Sequence, residues 1–241
     1  MKKFIILALA LSLAIVLAAC GGDDSSSEES EGSNSDNTEE QGQPSAQEPI
    51  EFTDEEKIDE DESVADVNGT EIKGSEYNAL YPQVKMSLQQ GGQASGEQDQ
   101  VKEHTVNMLI EQELINQAAE EQGVEVTDEE VQSEFDMMEE QAGDQLASVL
   151  DQFHLTEEAF KRQLNDNLLT TKYMESEFDI EVTDEEVEEH YNQLAEQNDE
   201  VGELEEVEEP IREQLTLTKS QEELQAKLEE LKEQAEVETL V

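Results

Sequence analysis

The longest stretch with a helical period runs from Val101 to Ala119. Val101, Met108, Ile115 and Ala119 form one apolar line along it, and Val106, Leu109, Ile110, Leu114 and Ala118 form a second. An apolar arc that wide predicts a helix packed on two sides rather than one resting on a surface. Gly123 follows the last periodic position, where a left-handed backbone costs glycine little, and ends the helix. Thr127-Asp128-Glu129-Glu130 then predicts the start of another. The Thr127 hydroxyl can cap it, Glu130 can reach back to the Thr127 amide, and the acids suit the positive helix end.

The same device returns. Ile180 to Val187, IEVTDEEV, nearly repeats Val124 to Val131, and matching apolar spacing follows each copy: Val131, Phe135 and Met138 against Val187, Tyr191 and Leu194. A third copy, Thr53 to Glu56, has no apolar period behind it and predicts no helix. Val64 to Ile72, VADVNGTEI, alternates around Asn68-Gly69 and predicts a hairpin. Ser75 to about Gln90 is helical, with Tyr77, Leu80, Tyr81, Val84 and Leu88 in register and Pro82 placed to kink it. After a loop over Gly91 to Gln100 and the two helices above comes a short helix, about Gln145 to Phe153. A longer one capped by Thr156 follows, carrying Phe160, Leu164, Leu168, Thr171, Met174 and Phe178.

The helix from Thr183 fades in a polar connector, Glu196 to Glu206. Pro210 is expected in the first turn of a last helix ending near Ala235, with Val207 as its staple. Leu224, Leu228, Leu231 and Ala235 keep a heptad too short for an independent coiled coil, so they are expected to pack on the chain's own helices. Val237 to Val241 reads as an edge strand pairing with Val64 to Val67, which joins the two ends of the domain.

Composition divides the chain. Gly21 to about Glu62 is rich in Ser, Glu, Asp, Gly, Asn and Gln, has almost nothing to bury, and is expected to be a disordered acidic tether. Such a segment spans about 35 Å root-mean-square by the random-coil rule. Ahead of it stand Lys2 and Lys3, an apolar run from Phe4 to Ala19 that is short for a spanning helix, and Leu17-Ala18-Ala19-Cys20. That order predicts a lipoprotein signal over residues 1–20, cleavage before Cys20 and lipid on that cysteine. A tether over 21–62 and a folded domain over 63–241 follow. The rest of the chain is then expected at the outer face of a bacterial cytoplasmic membrane. Cys20 is the single cysteine, so no intramolecular disulfide can form. The net charge is -52, and loss of Lys2 and Lys3 with the signal takes it to -54, which excludes nucleic acid as a partner.

Candidate chemistry is sparse. His104, His154 and His190 stand in separate segments without metal-ligand spacing. A glycine-rich phosphate loop, a nucleophile elbow and a His-Glu-x-x-His motif are all absent from the sequence, so no catalytic, metal-binding or cofactor-binding residue is assigned. What the sequence offers is adaptable apolar contact. Met86, Met108, Met137, Met138 and Met174, with Tyr77, Tyr81, Tyr173 and Tyr191, form a pool of candidate contacts for polypeptide partners.

The order of these segments resembles the SurA and PrsA family of extracytoplasmic chaperones. The likeness is carried by the lipobox, VADVNGTEI, the run LIEQELINQAAEEQGVEVTDEEV, the helix holding Phe160-Lys161-Arg162-Gln163-Leu164, the second VTDEEV and the long terminal helix. It implies an all-α domain of crossed long helices, with a minor strand pair joining the chain ends, that binds unfolded or secreted polypeptides. Family members also carry parvulin-type prolyl isomerase domains, inserted or following. Here about a dozen residues separate the last two helices, too few to fold such a domain, so the resemblance transfers no catalytic residue. Two rival expectations are an adaptor lipoprotein whose terminal helix recruits one defined partner, and an isomerase-class protein with residual activity.

Overall fold

The computed structural model describes residues 51–90, 98–198 and 201–241. The expected signal, Cys20 and most of the expected tether lie outside the described residues.

The elements run β1 (Ser63–Val67), β2 (Thr70–Lys73), α1 (Gly74–Gln90), α2 (Gln98–Glu121), α3 (Asp128–Ala142), α4 (Asp144–Gln152), α5 (Glu157–Glu177), α6 (Asp184–Gln197), α7 (Leu204–Gln234) and β3 (Val237–Thr239). Helix dominates, as the sequence pattern requires. The strand pair joining the chain ends is present, with Ala65, Asp66 and Val67 opposite Thr239, Glu238 and Val237 in antiparallel register. Because β1 also belongs to the hairpin, the sheet has three strands in the order β2-β1-β3 rather than two. The hairpin turn has positive φ at both central residues, 55° at Asn68 and 89° at Gly69, the conformation that Asn-Gly adopts most readily. Asn68 does more than turn the chain. Its backbone N–H donates to the Glu236 carbonyl at 2.8 Å, and its side-chain oxygen accepts from the Glu236 N–H at 2.8 Å. Its amide group donates to Gln117 of α2, also at 2.8 Å.

Both repeats start helices as expected. Thr127 and Thr183 accept hydrogen bonds from the amides of Glu130 and Glu186, and each glutamate side chain accepts from the threonine amide, giving two complete capping boxes. The third copy closes only a turn: Thr53 donates from backbone and hydroxyl to the Glu56 carboxylate. Gly123, at φ 72°, ends α2 in a Schellman arrangement, with Val124 N–H donating to Ala119 and Gly123 N–H to Glu120.

Among the described residues, three apolar clusters hold the domain. The first joins the sheet to α1 and α2 through Val64, Val67, Tyr77, Tyr81, Val106 and Leu114. The second gathers Ile115, Ala119 and Tyr173 under Leu224, Leu228 and Leu231 of α7, so the heptad leucines do pack on the chain's own helices. The third holds Val131, Phe135, Leu146 and Leu164 between α3, α4 and α5. Helix α2 contributes to the first two, which is why its apolar arc is wide. Met108, placed on one of its apolar lines, instead projects outward, and Thr105 is buried with its hydroxyl donating to the Val101 carbonyl.

Besides α2, which starts at Gln98 inside the expected loop, and β3, which ends at Thr239, two boundaries differ from the sequence reading. The expected tether to Glu62 extends too far, because residues 51–62 pack against the body. Phe52 stacks on Tyr81 at 5.4 Å between ring centroids, and Ile58 joins the first cluster. Ile58 N–H donates to the Asn78 side chain, whose amide donates back to the Ile58 carbonyl. A side chain at Gly74 would collide with the Asp59 carbonyl, so this strap needs glycine there. The second difference is at α7, which begins at Leu204. Pro210 is its seventh residue, not in the first turn, and Val207 lies within the helix rather than ahead of it. Pro210 and Glu206, whose carbonyl would have taken the missing N–H, are both exposed, so water can satisfy that carbonyl. Pro82 likewise lies inside a helix that continues to Gln90.

Candidate polypeptide-binding surface

The contact pool separates once the elements are packed. Tyr77, Tyr81 and Tyr173 are almost wholly buried and cannot meet a partner. Burial pushes the Tyr77 and Tyr81 hydroxyls above their usual range, and Tyr81 donates to Glu56 at 3.0 Å. The Tyr173 hydroxyl finds no partner among the described residues. Tyr191 is half-buried and donates to the Gly202 carbonyl at 3.0 Å, bracing the α6–α7 link. Met86, Met138 and Met174 are half-buried. Met108 and Met137 are exposed. Tyr77 and Tyr81 hold the helical spacing of a buried face, and periodicity alone does not separate core from surface contacts.

The exposed large apolar side chains among the described residues are Met108, Met137, Val149, Leu217, Val237 and Leu240. Met137 lies in an open depression along the outer face of α3, with Glu129, Gln132, Ser133, Asp136 and Glu140. These residues recur every three to four positions and form one helical stripe. Four of these six contact points stand singly on α2, α3, α4 and α7, and Val237 and Leu240 lie at β3, an arrangement suited to weak, adaptable contact. No group of three or more His, Cys, Asp or Glu residues among the described residues is arranged to hold a metal. No described helix is long and apolar enough to cross a membrane.

Charge is organised at three places. Lys172 of α5 donates to the Glu125 carbonyl at 2.9 Å and to Glu130 at 2.7 Å. With the Thr127 amide and hydroxyl, it holds the Glu130 carboxyl down at about 2. Lys219 of α7 repeats this on Glu181 and Glu186, and the Glu186 carboxyl is likewise held at about 2. The third place is a polar seam that the sequence did not disclose. Along α5, Gln163 bonds Gln83 of α1, and Thr170 bonds Gln112 of α2, each at 3.2 Å. Between them sits Asp166. Desolvation raises its carboxyl to about 6, and the nearby carboxylates Glu76 and Glu113 add to the rise, while Asn165 and Asn116 hydrogen-bond it. Glu113 is raised as well, chiefly by burial.

Comparison with known proteins fits this architecture. The family model described as the SurA-like N-terminal domain matches residues 51–174, from the strap through α5. A foldase protein PrsA from Caldanaerobacter subterraneus subsp. tengcongensis is 30% identical over 142 residues, covering 54% of this chain and 42% of the relative. The chain thus spans less than half the length of that relative. Because the family-model match takes in just over half of the chain, the chain belongs to the SurA/PrsA family through its SurA-like N-terminal domain.

Proposed function

We propose that the chain is a lipid-anchored extracytoplasmic chaperone that binds unfolded or newly translocated polypeptides and does not isomerise prolines. The observation that carries the reading is a family domain whose apolar contact points lie at the surface on separate elements, while α6 ends at Gln197 and α7 begins at Leu204. Six residues cannot enclose a folded isomerase domain at the place where relatives can insert one. Dispersed methionine and aliphatic contacts favour many weak partners over one defined partner.

The test is one pair of assays on the purified protein. It should suppress light scattering from a chemically unfolded protein and leave the slow phase of a proline-limited refolding reaction unchanged. Unaltered scattering would sink the chaperone reading, and an accelerated slow phase would favour the isomerase rival. Stoichiometric recovery of a single partner would favour the adaptor. For the anchor, Cys20→Ala should release the protein or leave an unprocessed precursor; lipid-labelled, normally processed protein in that variant would overturn the assignment of Cys20.

A further inference from the structure

The register of β3 fixes which way its backbone points. Leu240 N–H donates to the Val64 carbonyl and Asn68 N–H to the Glu236 carbonyl. In an antiparallel ladder, alternate residues face the partner. Glu236, Glu238 and Leu240 therefore turn their peptide groups toward β1, while those of Val237 and Thr239 turn away from it. Residues 237–240 are all exposed, and among the described residues β3 is the outer strand. Two of the six exposed large apolar side chains lie here, one on each face of the sheet: Val237 at 41% and Leu240 at 47%.

Charge indicates what would fit. Glu71 stands opposite Asp66, and Asp66 opposite Glu238, so three carboxylates cross one face of the sheet in a row. Lys73 pairs with Glu71, but no cation pairs with Asp66 or Glu238 among the described residues. Like charges directly opposite one another are unfavourable, and the row ends at the open edge beside Glu238. A basic residue at that point would relieve it. A neighbour of Val237, on the other face, would bury apolar surface.

We infer that the free edge of β3 takes an extended polypeptide segment of alternating apolar and basic residues as a fourth strand, using the outward peptide groups of Val237 and Thr239. Backbone pairing gives such a site its tolerance of sequence, and the alternation gives it a preference. That the occupant is an unfolded chain rests on the chaperone reading above.

The probe is a fluorescently labelled peptide of alternating lysine and valine, with binding followed by anisotropy on the whole protein. Thr239→Pro removes the outward N–H, spares the ladder to β1 and leaves the charge unchanged. It should weaken binding about tenfold or more, equivalent to about 1.4 kcal/mol. A peptide N-methylated at every residue, or one with glutamate for lysine, should fail to bind the unaltered protein. Unchanged affinity in a normally melting Thr239→Pro protein would reduce the interaction to general attraction and overturn the site. If that variant melts early, equal binding of the N-methylated and plain peptides overturns it instead. No binding of the plain peptide also overturns it, as does a dimer that Thr239→Pro dissociates and the peptide does not, which would make a second copy the occupant. Loss of the edge with scattering suppression intact leaves the chaperone reading standing; loss of suppression in the unaltered protein refutes that reading alone.

Discussion

Two regions of this molecule begin with nearly the same eight residues and are held by different forces. At Thr127 and at Thr183 a capping box opens a helix, and a lysine from a later helix reaches back to a glutamate carbonyl and to the box glutamate. Beyond that point they diverge. Helix α3 buries Val131 and Phe135 in a cluster with Leu146 and Leu164, where Phe135 meets Phe160 edge to face. Helix α6 buries only Val187, and its neighbour α7 buries only Ile211. Arg212 of α7 bonds the Val182 carbonyl and pairs with Asp184 at 2.8 Å, contacts made at the surface. The capping box decides where a helix starts. How firmly that helix is held depends on what its buried face meets.

The sharpest way to break this comparison is to truncate one aromatic residue in each region. Phe135→Ala should cost about 3 kcal/mol and lower the melting temperature by roughly 6–12 °C in a domain of this size. Tyr191→Ala should speed amide exchange in α6 and leave the main transition nearly in place. Equal losses from both would show that α6 belongs to the same cooperative unit as α3.

A second test concerns the acid seam, which α5 makes with α1 and α2 and which α6 lacks. Asp166 has a native carboxyl raised from 3.8 to about 6, so the folded protein holds a proton that the unfolded chain releases. Stability should therefore fall as pH rises from about 4 to 6, with a full penalty of up to about 3 kcal/mol above that window. Asp166→Asn is expected to raise the melting temperature by several degrees at pH 7.5 and to have little effect at pH 4. A variant no more stable at pH 7.5 would mean that the carboxylate is well solvated.

The smallest effects should come from the caps themselves. Thr127→Ala and Thr183→Ala each remove a side-chain acceptor worth about 1 kcal/mol. The first should shift the global melt by a few degrees, and the second should be visible only in exchange of the first α6 amides. A global shift from Thr183→Ala would erase the distinction between the two regions.

Much of this was legible along the chain because it depends on short-range chemistry. Thr127, Thr156 and Thr183 cap where the sequence places them, Gly123 ends α2, and Asn68-Gly69 turns the hairpin. Even the β1–β3 pairing was accessible, from one apolar segment at each end of the domain. What escaped was long-range. Phe52 and Ile58 are two apolar residues in an acidic, Ser-rich stretch, too few to set a period, and their importance appears only once Tyr81 and Asn78 lie beside them. Gln163, Asp166 and Thr170 form a polar line that reads as solvent-facing until α1 and α2 cover it. On the candidate surface, Met108 and Met137 are exposed while Tyr77, Tyr81 and Tyr173 are core, a sorting that amphipathic spacing cannot make.

The pairing of β1 with β3 also sets an order of events. Asp66 and Glu238 face each other across more than 170 residues of chain, and Asn68 holds Glu236 by two hydrogen bonds. While the chain is delivered from its N-terminal end, the central strand of the sheet has its hairpin partner early and its second partner only at the last. Until then, the β1 edge destined for β3 stays open. Closing so large a loop is entropically slow, and the sheet cannot be complete before nearly the whole domain has emerged. Until its last strand arrives, the domain is itself an unfinished chain with an open strand edge.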